Sequence, residues 1–140
     1  MDFEIKPRMG AGTIEFGMSP SEVRSQIRAT SVPFKRTAEV EFPSDYFKTE
    51  GVFAYYDKHG KLEAIEFAPP SNPLLDGLAL LQVSCDLVKS TLRAKDPAFE
   101  EDAAGAVSNA VGVGLYAPNA AEDPTAPCEG IIVFRDGYYD

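Results

Sequence analysis

Two stretches of this chain repeat one pattern, 65 positions apart as measured from Ser19 to Ser84. Residues 12–29 align with residues 77–94 without a gap, and both stretches share an opening glycine, a serine before a predicted helix and a closing Arg-Ala pair. Any two halves that combine helix and strand share some amphipathic pattern, but the matched helix start and glycine favour tandem duplication. A duplicated chain is limited to topologies that pack two similar units together.

The predicted fold is therefore α+β, with two tandem pseudo-repeats that each contain a short helix and antiparallel strands. With 140 residues the chain is long enough for one hydrophobic core, so we expect a single domain over residues 1–140. Pseudo-repeat one covers about residues 10–68, a Pro-rich connector covers 69–73, and pseudo-repeat two covers about 74–140. The pattern leaves open whether the strands form one continuous sheet or two.

In the first repeat, the residues around Ser19 predict the start of a helix. Its hydroxyl can accept a hydrogen bond from the backbone of Glu22, whose side chain can reach back, and Pro20 suits the first helical position. Val23 and Ile27 then lie one turn apart on one face. We expect a short, half-buried helix.

Alternating and β-branched segments predict the strands of the first repeat. The predicted strands cover residues 12–18, 32–42, 52–56 and 61–67. A four-residue turn at 57–60 joins the last two as a hairpin, and residues 43–45 are expected to break the preceding strand.

The second repeat is expected to begin with a strand over residues 77–83, followed by a helix after Ser84 with Leu87, Val88 and Leu92 on its apolar face. It departs from the first repeat in two places: a small, flexible segment at 103–106 and a long loop at 118–127. Long loops on a rigid sheet often carry recognition.

The net charge of −9 is concentrated in the last third of the chain, where residues 96–140 carry nine acids against Arg135 alone. Such a surface repels nucleic acid and anionic membrane, so neither is an expected partner. A basic protein partner is permitted, and the alternative is that the acids only keep the domain soluble. The candidate partner-binding acids are Glu100, Glu101, Asp102, Glu122 and Asp123.

Two adjacent tyrosines near the last residue, Tyr138 and Tyr139, complete the candidate partner-binding set. Tyrosine is enriched among the residues that anchor protein interfaces. The same side chains could instead cover a sheet edge, and the sequence does not choose between these roles.

No catalytic, cofactor or metal site is predicted, and we expect no enzyme. His59 is the only histidine, which excludes a histidine-based triad or a multi-histidine metal site within one chain. The carboxylates of Glu63 and Glu66, like those at 100–102, lack the spacing of a known ligand loop and favour a solvated acidic surface. The glycines in 112–114 favour close backbone packing over a nucleotide loop.

The chain is expected to be cytoplasmic, because its N-terminus lacks the features of a secretory signal and no apolar run approaches the length of a membrane span. Cys85 and Cys128 fit two free thiols in a reducing compartment better than a disulfide, although a disulfide stays possible.

The run at 14–23, with Gly17, Met18 and Ser19 before the helix and a hairpin containing Tyr56 and Asp57, resembles the helix entry of two related folds. These are the folds of the outer-membrane-assembly lipoproteins and of the β-lactamase-inhibitory proteins. In the latter, two tandem helix-plus-sheet units form an inhibitor of another protein. The match is weaker in the second repeat.

By type, a small acidic domain without an active site is similar to the immunity proteins that neutralise bacterial toxins. Together these observations favour a non-catalytic protein-binding module, most specifically an immunity protein or inhibitor of a basic partner such as a toxin. The alternative is a small-ligand-binding domain with a cavity between the units, lined by Tyr55 and Tyr116, and an enzyme ranks third.

Overall fold

The chain folds into two α-helices and thirteen short β-strands, counted over residues 2–35, 43–102, 104–119, 122–123 and 125–138, which the computed structural model describes. The helices are α1 (Pro20–Ile27) and α2 (Cys85–Lys95). The strands up to the middle of the chain are β1 (Asp2–Lys6), β2 (Gly10–Ala11), β3 (Ile14–Glu15), β4 (Val32–Phe34), β5 (Ser44–Phe47), β6 (Val52–Tyr56) and β7 (Leu62–Phe67). The others are β8 (Asn72–Leu75), β9 (Leu78–Ala79), β10 (Glu100–Glu101), β11 (Gly105–Ser108), β12 (Val113–Tyr116) and β13 (Gly130–Phe134).

The strands form two sheets, and the predicted α+β class is confirmed. The larger sheet has eight antiparallel strands in the order β10-β11-β12-β13-β7-β6-β5-β4, and the smaller has five in the order β3-β2-β1-β8-β9. One face of the larger sheet, both helices and the smaller sheet contribute to a single buried cluster. The core therefore lies between the eight-stranded sheet and a layer made of the two helices and the smaller sheet.

The eight-stranded sheet is continuous across the middle of the chain. Strands β4 to β7 form one side of it and β10 to β13 the other, and they meet where β7 pairs with β13. At this seam Ile65 faces Val133 and Glu66 faces Ile132. The four-strand sets thus share one hydrogen-bonded ladder, which answers the question that the sequence left open about one sheet or two.

The predicted start of α1 is confirmed in detail. The Ser19 hydroxyl accepts from the Glu22 N–H at 3.3 Å, and the Glu22 carboxylate accepts from the Ser19 N–H at 3.2 Å. Val23 and Ile27 are both buried, as their spacing predicts. The helix ends at Ile27, and the next residue, Arg28, adopts a left-handed conformation with φ of 56°.

Helix α2 begins after Ser84, as predicted, with the serine hydroxyl accepting from the Leu87 N–H at 3.2 Å. Its apolar face differs from the prediction, because Leu87 is 46% exposed while Cys85, Val88 and Leu92 are buried. Positions 85, 88 and 92 lie on one side of a 3.6-residue helix. Leu87 lies about 130° around the helix axis from the middle of that side.

The predicted hairpin is also confirmed, with β6 and β7 joined through the turn at 57–60. The Asp57 carboxylate closes the turn by accepting from the N–H groups of His59 at 2.8 Å and Lys61 at 3.0 Å. Its second oxygen accepts from Arg135 at 2.9 Å. Burial raises the pKa of Asp57, but these hydrogen bonds outweigh it and hold the pKa below its ordinary value.

The break predicted at residues 43–45 is wrong. Ser44 and Asp45 belong to β5, which pairs with β4 on one side and β6 on the other. The polar residues are tolerated in the strand because the Asp45 side chain meets its own partners on the helix side, described below. The rest of the predicted strand, residues 36–42, falls outside the described residues.

The connector and the long entry strands also need correction. Asn72 and Pro73, predicted to lie in a connector, belong to β8, which pairs in parallel with the unpredicted β1. Pro73 has no N–H to donate, but its carbonyl accepts from the Leu80 N–H at 3.0 Å. The strands predicted at 12–18 and 77–83 shrink to β3 and β9. Gly105 and Ala106, predicted to be flexible, form part of β11.

Candidate functional site

The face of the eight-stranded sheet turned away from the helices carries the most unusual surface of the molecule. We call it the outer face. Successive side chains of a strand point to opposite faces of the sheet, so every second residue of these strands points into the core that contains both helices. The residues between them lie on the outer face. A single cross-strand line traverses it from edge to edge, through Val32, Tyr46, Phe53, Glu66, Ile132, Gly114, Val107 and Glu100.

Aromatic rings cover the outer face over strands β4 to β6. The rings of Tyr46 and Phe53 stack with centroids 4.3 Å apart, and Phe53 and Tyr55 are nearly parallel at 6.4 Å. Phe34 meets Phe53 edge-on at 6.1 Å and Tyr55 at 6.4 Å. Such pairs add to the stability of a sheet and limit the motion of the rings.

Glycines replace side chains on the other half of the outer face. A Cβ atom at Gly114 would lie 3.0 Å from Cγ2 of Ile132, and one at Gly105 would lie 2.2 Å from the Leu115 carbonyl oxygen. Gly114 and Gly130, which carry no side chain, line a depression of about 280 Å³, which we call the glycine depression. Its lining comprises Glu66, Ala106, Val107, Gly114, Leu115, Tyr116, Gly130 and Ile132.

Glu66 lies at the boundary between the aromatic and glycine halves and is half-buried. Its Oε1 accepts from the Tyr55 hydroxyl at 2.7 Å. A Cβ atom at Gly130 would lie 3.6 Å from its Oε2, so the second oxygen faces the glycine depression. Glu63, considered with Glu66 in the sequence, instead accepts from Arg135 at 3.3 Å. Both carboxylates are therefore engaged and half-buried, not solvated as predicted.

The predicted acids at 100–102 lie together at the β10 edge of the sheet. With Val107 and Tyr116 they line a second cleft of about 390 Å³, next to the glycine depression. Glu100 faces Val107 across the ladder on the outer face and is exposed. We call this second cleft the acidic-edge cleft.

The other two acids of this group are less available to a partner. The Glu101 carboxylate lies 3.5 Å from both Lys89 and Arg93 of α2, which partly neutralise it. The Asp102 carboxylate accepts from the N–H groups of Ala104 at 2.8 Å and Gly105 at 2.9 Å, and so holds its own turn. Glu100 is thus the acid of the three that the fold directs to the outer face.

The remaining predicted site residues lie elsewhere. Asp123 accepts from the Thr125 hydroxyl at 2.6 Å, and this hydrogen bond lowers the pKa of Asp123. Glu122 is exposed in the same loop, and neither acid lines the glycine depression or the acidic-edge cleft. Tyr138 stacks on Phe134 with centroids 5.8 Å apart. Tyr139 falls outside the described residues.

Two buried aspartates, one in each half of the chain, connect helical segments to the sheet. Asp45 is fully buried and accepts two hydrogen bonds from Arg24 of α1, at 2.8 and 3.1 Å, and one from the Tyr56 hydroxyl at 2.8 Å. Burial and the neighbouring Asp45 raise the pKa of Tyr56 above its ordinary value. Both partners of Asp45 are committed, so this cluster has a structural role.

Asp96 follows α2 and accepts from the Ser108 hydroxyl at 2.7 Å. That hydrogen bond, with further ones from the N–H groups of Ala98 and Ala110, lowers the pKa of Asp96 despite its burial. Ser108 in turn accepts from the Val111 N–H at 3.1 Å. The carboxylate therefore organises the turn between β11 and β12 and is not directed at a ligand.

The two cysteines are buried free thiols in adjacent segments. The Cys85 N–H donates to the Ala126 carbonyl at 2.8 Å, which brings the start of α2 against the end of the long loop. Burial and the nearby Cys85 raise the pKa of Cys128 to about 12. A thiol so reluctant to ionise is a poor nucleophile.

Comparison of the chain with models of protein families, with curated proteins and with solved structures finds no match. Among the described residues, no group of three or more His, Cys, Asp or Glu side chains is placed to hold a metal ion. The helices in this part of the chain are too short or too polar to cross a membrane. The geometry of the outer face therefore carries the functional argument.

Sequence reasoning missed Glu66, Ile132 and the glycine depression as parts of a surface. The period-2 alternation of β7 predicts that Glu66 and Ile65 lie on opposite faces of the sheet, but only the pairing of β7 with β13 brings Glu66 beside Ile132. The close backbone packing predicted for residues 112–114 is confirmed at Gly112, where a Cβ atom would lie 2.7 Å from the Phe134 carbonyl oxygen. What was not visible is that Gly105, Gly114 and Gly130 belong to three neighbouring strands.

Proposed function

We propose that this protein is a non-catalytic protein-binding module, an immunity protein or inhibitor that occludes a basic partner such as a bacterial toxin. The observation that carries the proposal is the outer face, where an apolar, glycine-floored depression adjoins an acidic edge. Protein interfaces commonly combine an apolar centre with a polar rim. The binding surface proposed here consists of the glycine depression and the acidic-edge cleft.

Aromatic side chains support this surface as an interface. Tyr116 lines both clefts and is 54% exposed, so a large amphipathic ring stands at their junction. Tyrosine contributes contact area at a small cost in conformational entropy, and it is enriched among residues that dominate binding energy. The stacked Tyr46 and Phe53 give the neighbouring half of the face a preorganised shape.

The charge of the chain supports a basic partner. A net charge of −9 attracts a cationic protein and speeds its association. Added salt screens this attraction and slows the association. Glu66 and Glu100 direct part of that charge onto the outer face. Of the other candidate residues, Glu101 and Asp102 line the acidic-edge cleft, and Glu122, Asp123 and Tyr138 lie outside both clefts. Tyr139 stays a candidate that lies outside the described residues.

The proposal includes the tandem origin of the two halves. Each half supplies one helix followed by four strands of the large sheet. Gly51 and Gly112 both precede a matching strand, with φ of 71° and 76°. A match of Ile65 with Ile132 does not fit such an origin, because Ile65 lies in the core while Ile132 lies on the outer face.

The proposal also includes a cytoplasmic location, supported by two buried thiols that a reducing compartment would keep free.

The second candidate function is small-ligand binding. It is favoured by the clefts of about 280 and 390 Å³, the larger of which falls in the size range of ligand sites. Tyr116 lines both clefts, whereas Tyr55 lines neither and donates its hydroxyl to Glu66.

A capture experiment with matched variants tests the protein-binding proposal. The native protein, Tyr116→Ala and Leu87→Ala are used as baits in lysate of the native cell at low and high salt. Tyr116 and Leu87 are exposed to a similar degree, but Leu87 lies on α2, away from the outer face. We expect one basic protein that is held by the native bait and by Leu87→Ala, lost with Tyr116→Ala and released by salt.

The contrary result is equally clear. Capture of the same proteins by all three baits would show that the outer face is not the interface. If the native bait retains no protein at either salt concentration, the protein-binding proposal fails and the small-ligand function takes its place.

A further inference from the structure

Glu66 is the one charged residue among the eight that line the glycine depression. The other seven are glycines, aliphatic residues and Tyr116. A carboxylate on an apolar wall restricts which ligand groups can bind beside it. A group that displaces water from the carboxylate must replace the hydrogen bonds that the water made. The group that does so best is a cation with N–H donors.

The two oxygens of Glu66 have different surroundings. Oε1 is engaged by the Tyr55 hydroxyl at 2.7 Å, which fixes the orientation of the carboxylate. Oε2 lies on the side of Gly130, where the missing Cβ keeps it accessible from the depression. Among the described residues, no lysine, arginine or histidine nitrogen lies within ion-pair distance of Glu66. The negative charge is therefore compensated by a hydroxyl alone in this part of the chain.

The size of the depression indicates how much of a ligand it can take. At about 280 Å³ it lies just below the range of roughly 300–1,000 Å³ typical of sites for whole small molecules. One long side chain suits it better. Val107 and Ile132 offer apolar contact to a methylene stem, and the exposed ring of Tyr116 offers a surface for a cation to stack on.

We propose that the glycine depression is a subsite for an arginine side chain of the partner protein, with the guanidinium bound to Oε2 of Glu66 and stacked on Tyr116. This inference rests on the proposed protein-binding function and names the chemistry that the partner must present. Arginine suits the site better than lysine, because its planar group stacks on aromatic rings, donates in a fork and is more weakly hydrated. Gly130 is then a specificity-determining residue, since any side chain there would stand against Oε2.

The subsite can be tested without the partner, with N-acetyl-arginine amide as the probe. N-acetyl-citrulline amide is its uncharged near-isostere. Each is titrated into ¹⁵N-labelled protein, and amide chemical shifts are followed. We expect the arginine probe to shift the Gly114 and Gly130 signals in a saturable way, and the citrulline probe to bind at least about tenfold more weakly, because the charge-assisted hydrogen bond is lost.

Two variants with a matched control complete the experiment. Glu66→Gln keeps an acceptor for Tyr55 and removes the charge, so the arginine probe should lose about tenfold or more in affinity. Gly130→Ala keeps the charge and fills the space at Oε2. Its Cβ would meet neighbours at 3.6 Å or more, which is ordinary contact, so the fold should tolerate it while the probe binds more weakly. Glu129→Gln, outside the depression, removes the same charge and should bind the probe as the native protein does.

The proposal is overturned if arginine and citrulline probes bind equally, if Glu66→Gln and Glu129→Gln behave alike, or if the shifts concentrate at residues 100–102. The capture experiment separates this failure from that of the protein-binding function. A partner lost with Tyr116→Ala but held normally by Glu66→Gln and Gly130→Ala would leave the function standing and remove the arginine subsite. Loss of the partner with all three variants would support both the protein-binding function and the arginine subsite.

Discussion

Asp45 illustrates what a single buried residue decides in this fold. Its carboxylate has no exposed surface, and its three hydrogen bonds come from Arg24 on α1 and Tyr56 on β6. A buried charge is tolerated only where it is paired and fully hydrogen-bonded. The cluster therefore specifies how the first helix sits on the sheet, although it does not by itself show a gain in stability.

Removal of the Asp45 carboxylate should be costly. Asp45→Ala leaves the Tyr56 hydroxyl buried without its partner, and Arg24 loses its counter-charge but stays 44% exposed. We expect a loss of about 3 kcal/mol in the free energy of unfolding, at the low end for a broken buried pair. Urea unfolding measures it. Lys95→Ala, which breaks the exposed pair with Asp76, is the control and should change the free energy by less than about 1 kcal/mol. Equal losses would contradict the structural role of Asp45.

The low pKa of Asp96 predicts how stability depends on pH. The folded pKa lies below the unfolded one, chiefly because of the Ser108 hydroxyl, so the folded state favours the ionised form. This contribution is complete above the unfolded pKa, near 4, and is lost as the pH falls through the folded value. Ser108→Ala should therefore be less stable than the native protein at neutral pH and lose less additional stability in acid.

Urea unfolding at a series of pH values from neutral to about 3 tests the sign. Ser90→Ala, which removes an exposed serine hydroxyl from α2, is the control and should follow the native profile. Parallel pH profiles for Ser108→Ala and the native protein would show that this hydrogen bond does not lower the pKa of Asp96.

At the scale of the element, the β5-β6 connection depends on one glycine. Gly51 has φ of 71°, and its N–H donates to the Phe47 carbonyl at 2.9 Å to close the turn. A Cβ atom there would lie 2.2 Å from the carbonyl oxygen of Ala68, the residue that follows β7. Both the conformation and the space at this turn therefore require glycine.

Gly51→Ala should destabilise the fold by about 2 kcal/mol or more, since the left-handed conformation and the steric overlap act together. Gly77→Ala is the matched control, because its φ of 84° is similar and a Cβ there would meet nothing within 4 Å. It should cost only the conformational term of about 1 kcal/mol. The difference, measured by thermal or urea unfolding, isolates the close packing. Equal costs would mean that the sheet yields easily at Ala68.

Elements that depend on near neighbours were predicted well from the sequence. The capping box at Ser19, the serine cap at Ser84 and the 52–67 hairpin are all confirmed, because each is set by contacts within a few residues. Leu87 was misplaced because it precedes Val88 directly in the sequence, whereas successive residues of a helix point about 100° apart. Cys85, a small apolar thiol, occupies the buried place.

At the scale of the whole molecule, the two halves share one core. The buried cluster includes Val23 and Ile27 of α1 together with Val88 and Leu92 of α2, and the seam between β7 and β13 is a continuous ladder. Neither half buries its apolar surface without the other. We therefore expect the halves to unfold together.

The prediction is a single unfolding transition. Far-ultraviolet circular dichroism and tyrosine fluorescence should give coincident urea curves, since rings of both halves report on one cooperative unit. Two separate transitions would show that the halves are independent despite the shared sheet. Isolated residues 1–68 and 74–140 provide the control, and neither should show a cooperative transition alone.

The sequence by itself determined the α+β class, the two helix starts, the central hairpin and the location of the acidic charge, because these depend on local hydrogen bonding, side-chain periodicity and composition. The tertiary structure alone decided the β7-β13 seam, the parallel pairing of β1 with β8 and the strand made by Ser44 and Asp45. These features depend on partners far apart in the chain, whose contacts outweigh local preference. The same holds for the glycine depression, since it exists only where Gly114, Gly130 and Glu66 come together on adjacent strands.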